Sequence, residues 1–140
     1  MSKAAIVFWS GTGNTEAMAA AVKEGLQAAG AEVVMVAPAD FSAADVATYD
    51  AIAFGCPAMG AEVLEETEFA PMFTSIEGEL NGKKIGLFGS YGWGDGEWMR
   101  EWESRCQADG AEMPSPFVIC QDAPDDDTLE ALKALGQALA

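Results

Sequence analysis

The chain has 140 residues, 50% of them hydrophobic, and a formal charge of −16 from 23 acidic and 7 basic side chains. That length suits one domain, expected over residues 1–140, with a core that needs no crosslinks. The charge argues against nucleic acid and anionic membrane as partners and permits docking to proteins with basic patches.

Taken in chain order, short apolar runs alternate with longer helix-like runs. "KAAIVFW" (3–9) has strand length. "TEAMAAAVKEGLQAAG" (15–30) puts Met18, Val22, Leu26 and Ala29 on one helical face, with Gly30 as the stop. "AEVVMVAP" (31–38) and Ala51 to Cys56 predict the second and third strands. "EETEFAPMFTSI" (65–76) predicts a weaker helix, interrupted at Pro71. "KKIGLFGS" (83–90) predicts a fourth strand. "GEWMREWESRCQADG" (96–110) predicts a helix with Trp98, Trp102 and Cys106 on one face. "PFVICQD" (116–122) predicts the fifth strand, and "DDTLEALKALGQALA" (126–140) a last helix with leucines at 129, 132, 135 and 139. Five strands with intervening helices mean βαβ units, a parallel sheet and a doubly wound α/β domain. Such strands, buried on both faces, read as continuously apolar.

No apolar run approaches the ~20 residues that cross a bilayer. "MSKAAIVFWS" carries one lysine and then a strand-like run too short for a secretory signal. Three cysteines without CxxC spacing fit reduced thiols, and a cytoplasmic location is expected. Histidine is absent, which removes the commonest general base and metal ligand, and no metal site is expected.

In doubly wound sheets ligands bind beyond the carboxyl ends of the strands. After the first strand comes Ser10-Gly11-Thr12-Gly13-Asn14-Thr15, directly before a helix. A helix N-terminus suits an anion, glycines allow close backbone approach, and Ser10, Thr12, Thr15 and Asn14 add donors. A P-loop would need Gly-Lys-Ser/Thr, and a dinucleotide fingerprint would need glycine where Glu16 stands. A phosphate held only by neutral dipoles is bound rather than transferred, since transfer usually recruits Lys, Arg or Mg²⁺. After the third strand comes Cys56-Pro57-Ala58-Met59-Gly60-Ala61-Glu62. After the fourth comes Ser90-Tyr91-Gly92-Trp93-Gly94-Asp95-Gly96. Trp93, between glycines, is suited to cover a flat ligand, with Met59 on the other side. Cys56 has no nearby base and reads as a packing residue; Cys106 and Cys120 read as core.

At these loops the sequence resembles a known family. "WSGTGNTEAM", "GCPAMGAEVLEE" and "GLFGSYGWGDGEWMR" are similar to the phosphate loop and two isoalloxazine loops of short-chain flavodoxins of the clostridial and rumen-bacterial type. The resemblance covers nearly the whole chain and leaves no room for the segment that long-chain members insert in the fifth strand. It implies a flavodoxin-like five-stranded sheet in the order 2-1-3-4-5 with helices on both faces, and one noncovalently bound FMN. By position, Ser10, Gly11, Thr12, Gly13, Asn14 and Thr15 would hold the phosphate. Met59 and Trp93 would flank the ring within the loops Pro57 to Glu62 and Ser90 to Asp95. Gly60 would turn its carbonyl to flavin N5–H after one-electron reduction. Glu62 would meet the pyrimidine edge near N3, and the Tyr91 to Gly92 backbone its N1 and O2 side. Ser90, Gln121 and Asp122 would line the ribityl and pyrimidine surroundings. Close relatives often carry Glu two residues after that glutamine, where this chain has Ala123, so Glu62 or water must serve N3.

The resemblance implies a single-electron carrier between redox enzymes, not an enzyme, and a monomer. Carboxylates at 62, 65, 66 and 68 and at 122 and 125–127 would disfavour a second negative charge on the ring, giving a low potential. For Asp125 to Asp127, ahead of the last helix, helix N-terminal charge is the simpler reading. An NAD(P)H-dependent flavin or quinone reductase on the same fold would need a nicotinamide site. No second nucleotide loop and no arginine cluster for a 2′-phosphate are present. A flavin-free signalling domain would need an acidic pocket at a strand end and a lysine after the fifth strand, and Ser10 ends the first strand instead.

Overall fold

A computed structural model describes residues 3–9, 13–58, 64–92 and 96–140. The strands are β1 (Lys3–Phe8), β2 (Glu32–Val36), β3 (Ala51–Gly55), β4 (Lys84–Tyr91) and β5 (Val118–Gln121). The helices are α1 (Asn14–Ala28), α2 (Ala43–Val46), α3 (Phe69–Ile76), α4 (Glu97–Ala108) and α5 (Asp126–Leu139). All neighbouring strands are parallel, in the order β2-β1-β3-β4-β5, so the predicted doubly wound sheet is found.

Burial follows position in the sheet. The central β3 is buried throughout, whereas the edge strands β2 and β5 are largely half-buried or exposed. Continuous apolarity therefore describes the middle of the sheet better than its edges. One core lies under α2, α3 and α4, around Phe54, Phe69, Phe73 and Trp102. The other lies under α1 and α5, around Met18, Val22, Leu26, Leu132 and Leu135.

Several boundaries differ from the sequence expectations for local reasons. Gly30 takes a left-handed φ of 92° and ends α1, leaving Ala29 as an exposed C-cap rather than a member of the buried face. Pro71 does not interrupt α3. It is the third residue of the helix, where a missing N–H costs nothing. The fifth strand pairs with β4 only from Val118, after a single bridge between Lys84 and Glu112. Pro114 and Pro116 lie between, and neither can donate to the ladder. The short α2 is unpredicted, and the Ser42 N–H donates to Asp45 Oδ2 at 2.9 Å at its start.

The helices α1 and α5 cross at a glycine pair. A Cβ on Gly25 would run into the Lys133 carbonyl oxygen. One on Gly136 would run into the Val22 carbonyl and stand 2.8 Å from the Leu26 nitrogen. In an open helix interior glycine to alanine gains roughly 0.5–1 kcal/mol. Here overpacking, at about 1–3 kcal/mol, wins. Gly25→Ala and Gly136→Ala are each expected to lower the urea midpoint. Gly78→Ala, with nothing within 4 Å of its Cβ, is expected to lower it not at all.

Candidate functional site

The sheet order reverses between β1 and β3, which are hydrogen-bonded neighbours. The chain leaving β1 enters α1 on one face, and the chain leaving β3 reaches α3 on the other. A crevice at the carboxyl ends is the result. Trp9 N–H donates to the Gly55 carbonyl at 3.0 Å, and Ala58 N–H to the Ser90 carbonyl at 3.0 Å, so the three loop stems stand side by side.

At the mouth of β1, Gly13 has φ 92° and is the N-cap of α1, with no side-chain cap. The predicted phosphate loop thus ends on a helix N-terminus, where backbone donors and the dipole favour an anion. Thr15, in the first turn, is 1% exposed, and its Oγ1 lies 3.4 Å from Oγ of Ser90, itself 5% exposed. The structure brings these two predicted site residues, 75 positions apart, into contact.

The span after β3 is pinned at both ends by described residues. Cys56 N–H donates to the Phe88 carbonyl at 3.1 Å, and Trp98 Nε1–H donates to the Cys56 carbonyl at 3.3 Å. Gly89 permits this approach, because a Cβ there would collide with that same carbonyl oxygen. At the far end, Glu65 N–H donates to Cys56 Sγ at 3.3 Å. Burial pushes the Cys56 thiol up to about 12, so it packs as the sequence suggested and is no nucleophile. The Glu65 carboxylate, 4% exposed, accepts N–H bonds from Thr67 (2.7 Å), Glu68 (2.7 Å) and Phe69 (2.9 Å), and a bond from the Thr67 hydroxyl. Burial raises its pKa, but these bonds together outweigh it and hold the carboxyl below its usual range. Glu65 caps α3 and is not one of the surface carboxylates that sequence reading counted toward repulsion of the ring. No motif distinguishes it from Glu66 and Glu68; only its burial does.

At the ends of β4 and β5, Asp122 N–H donates to the Tyr91 carbonyl at 2.8 Å and Gln121 Nε2–H to the Gly92 carbonyl at 3.4 Å. Asp122 takes φ 59°, a left-handed position that aspartate tolerates better than most residues. Tyr91 packs tilted on Trp98, ring centroids 5.6 Å apart. Thus Gly13, Asn14, Thr15, Pro57, Ala58, Ser90, Tyr91, Gly92, Gln121 and Asp122 gather at one end of the sheet. Ser10, Gly11, Thr12, Met59, Gly60, Ala61, Glu62, Trp93, Gly94 and Asp95 lie outside the described residues.

All seven cations are described. Lys3 and Lys84 begin β1 and β4, and Lys83 donates to the Tyr49 carbonyl, at the opposite end of the sheet. Lys23 and Lys133 lie on α1 and α5, and Arg105 is bound to Glu77. Arg100, on α4 beside Gly96, stands nearest the loops. Among the described residues the donors at this point are the neutral hydroxyls of Thr15 and Ser90 and the backbone amides that open α1, a set that fits a phosphate held without metal or lysine. Among the described residues no helix is long and apolar enough to cross a membrane.

A crevice at the switch point of a doubly wound sheet, with a neutral anion cradle and glycine-rich loops, defines a nucleotide-cofactor-binding α/β protein. The sequence model described as Flavodoxin matches residues 6–135. The flavodoxin of Megasphaera elsdenii is 48% identical over 135 residues, 96% of both chains. That of Clostridium beijerinckii is 45% identical over 121 residues, 86% of this chain and 88% of that one. The solution structure of the two-electron reduced Megasphaera elsdenii flavodoxin superposes with a TM-score of 0.88, covering 97% of each chain. The chain belongs to the flavodoxin family, as its loops implied. It is an electron-transfer protein rather than an enzyme, and its cofactor is FMN.

Glu65→Gln removes the charge that three backbone donors share. Bonds to charged groups are worth about 1.5–3 kcal/mol, so a loss of that order is expected at pH 7. The folded pKa is depressed, so this contribution is present above the unfolded value near 4.5 and is lost as pH falls through the folded one. The wild-type advantage in denaturant titrations should therefore shrink below pH 4.5. A difference constant with pH would refute the charged cap.

Proposed function

We propose that this chain, as a single domain over residues 1–140, is a cytoplasmic, monomeric, low-potential carrier of single electrons. The observation that carries the reading is the buried Thr15 hydroxyl. It faces Ser90 in the first turn of α1, where Gly13 at the N-cap has no side chain, and both hydroxyls are neutral donors.

When bound, FMN supplies the redox chemistry. Everything else falls to the chain. The segment Ser10 to Thr15 holds the phosphate, its hydroxyls and amides replacing a counter-cation. Pro57 to Glu62 and Ser90 to Asp95 line the ring, with Met59 and Trp93 on its faces. Glu62 accepts from N3–H, and Tyr91 and Gly92 offer backbone donors to N1 and O2. Gln121 and Asp122 close the pyrimidine side. The low potential follows from charge. No lysine or arginine occurs within residues 9–16, 55–64, 89–96 or 121–123, and although Arg100 stands beside Gly96, the loops themselves supply no cation to neutralise an added electron. A net charge of −16 opposes it further. The same charge recruits redox partners with basic docking surfaces.

Thr15→Ala is expected to weaken FMN roughly tenfold or more, the value of one hydroxyl bond to a dianion, and to leave riboflavin, which has no phosphate, nearly unchanged. Equal losses for the two in fluorescence titrations would remove the phosphate assignment.

By the family's pattern Gly60 would be the residue that turns its carbonyl to N5–H, a rotation that glycine makes easily because it reaches positive φ at little cost. A residue with Cβ pays roughly 1 kcal/mol or more at positive φ. In Gly60→Thr the two one-electron midpoint potentials should move toward each other, while FMN affinity in the oxidised protein changes less. Unmoved potentials in an anaerobic titration would rule this peptide out.

A further inference from the structure

Outside the cofactor crevice, α4 and the chain entering α3 leave a groove between them, with a cavity of about 280 Å³. Among the described residues its walls include Leu64, Ala70, Trp98 and Trp102, and its charged members are Glu66, Glu101 and Arg105. The four residues from α4 stand at i, i+3, i+4 and i+7, one face of the helix. Trp98 and Trp102 are buried, so the walls are fixed, while Leu64 and Ala70 remain half-buried.

The charges of the groove are unequal. The Arg105 guanidinium gives two bonds to Glu77, at 2.6 and 2.8 Å, one to Thr74 Oγ1 at 3.2 Å, and lies 4.9 Å from the Phe73 ring centroid. Its charge is compensated within the fold. Glu66 and Glu101 are exposed. The neighbouring Glu68 and Glu97 are exposed and acidic too, and one guanidinium nitrogen of Arg100 lies 3.7 Å from where a Cβ on Gly96 would stand. The groove is thus apolar at its base and negative at its rim. It also adjoins the cofactor loops. Leu64 follows the span 59–63, and Trp98 is bonded to the Cys56 carbonyl where that span begins.

We propose that this groove receives one lysine or arginine side chain of the redox partner. Its aliphatic stem covers Leu64 and Ala70, and its cationic head sits between Glu66 and Glu101. The inference rests on the reading that partners dock through basic surfaces, and adds where one anchor lies. An anchor beside the cofactor loops fixes the partner's orientation, which undirected acidity cannot do.

The test uses the full FMN-loaded chain and mitochondrial cytochrome c, a strongly basic redox protein, as the probe. Three variants are compared: Glu66→Gln with Glu101→Gln, the distal pair Glu32→Gln with Glu112→Gln, and Ala70→Leu, which fills the groove without changing charge. Glu32 and Glu112 are exposed and pair in the sheet with Lys3 and Lys84 at its opposite end. Midpoint potentials of all variants are measured, so that rates are compared at known driving force. At low ionic strength the groove pair should slow electron transfer about fivefold, as two exposed ion pairs would, and the distal pair by less than twofold. Ala70→Leu should slow it with the salt dependence unchanged. Equal slowing by both acidic pairs, or an unchanged rate in Ala70→Leu with FMN retained, overturns the groove while leaving basic docking intact. Rates indifferent to salt and to every variant overturn basic docking and the groove with it.

Discussion

The site depends on the reversal of strand order between β1 and β3. Because β1 lies between β2 and β3, the chains leaving β1 and β3 depart to opposite faces. A crevice opens at the carboxyl ends between them. The N-terminus of α1 opens onto this gap with Gly13 as its cap, and Ser90 reaches it from β4, two strands from β1. The close approach of β3 and β4 holds the arrangement together. It tolerates only glycine at position 89, because the Cys56 carbonyl occupies the space of a Cβ.

The distribution of charge follows from the same geometry. A helix N-terminus already carries partial positive charge, so a phosphate can be held by backbone and hydroxyls alone. That frees the loops of lysine and arginine. The cationic side chains that remain stand mainly at the opposite end of the sheet or on the helices. For an electron carrier this separation matters. A cation in the crevice would stabilise the reduced cofactor and raise its potential, whereas neutral dipoles bind the phosphate without favouring the added electron on the ring.

Most of the architecture was legible in the sequence, because in a parallel sheet each buried strand is an apolar run and each helix an amphipathic one. Trp98, Trp102 and Cys106, read as one face of a helix, are all buried. The loops were legible for a different reason: glycines and hydroxyls in runs have few structural uses. What stayed hidden was set by tertiary contact. The brief α2 is too short for a period to register. Pro71 looked like a break, since the sequence did not say that the helix starts only two residues earlier. The meeting of Thr15 with Ser90 joins segments 75 positions apart, whose proximity no local pattern encodes, whereas Glu65 caps α3 from only four residues upstream of Phe69 and went unread because Glu66 and Glu68 beside it look the same.

Glu65 also changes how the acidity should be counted. In the sequence it stands among Glu62, Glu66 and Glu68 as one of a run. In the fold its carboxylate is buried and its capacity as an acceptor is taken up by three backbone N–H groups and a hydroxyl. Asp125 is similar in kind. It caps α5 through Thr128, whose bonds hold its carboxyl below the usual range, as the helix-terminal reading of that acidic run anticipated. Such carboxylates are already neutralised in part by aligned backbone dipoles, so they contribute less to the field outside the protein than their number suggests. The charge that an approaching partner meets is set by the residues left without such work, and near the cofactor loops these include the exposed Glu66, Glu68, Glu97 and Glu101. A net charge of −16 therefore carries direction as well as magnitude, and the direction is decided by which acids the backbone has claimed.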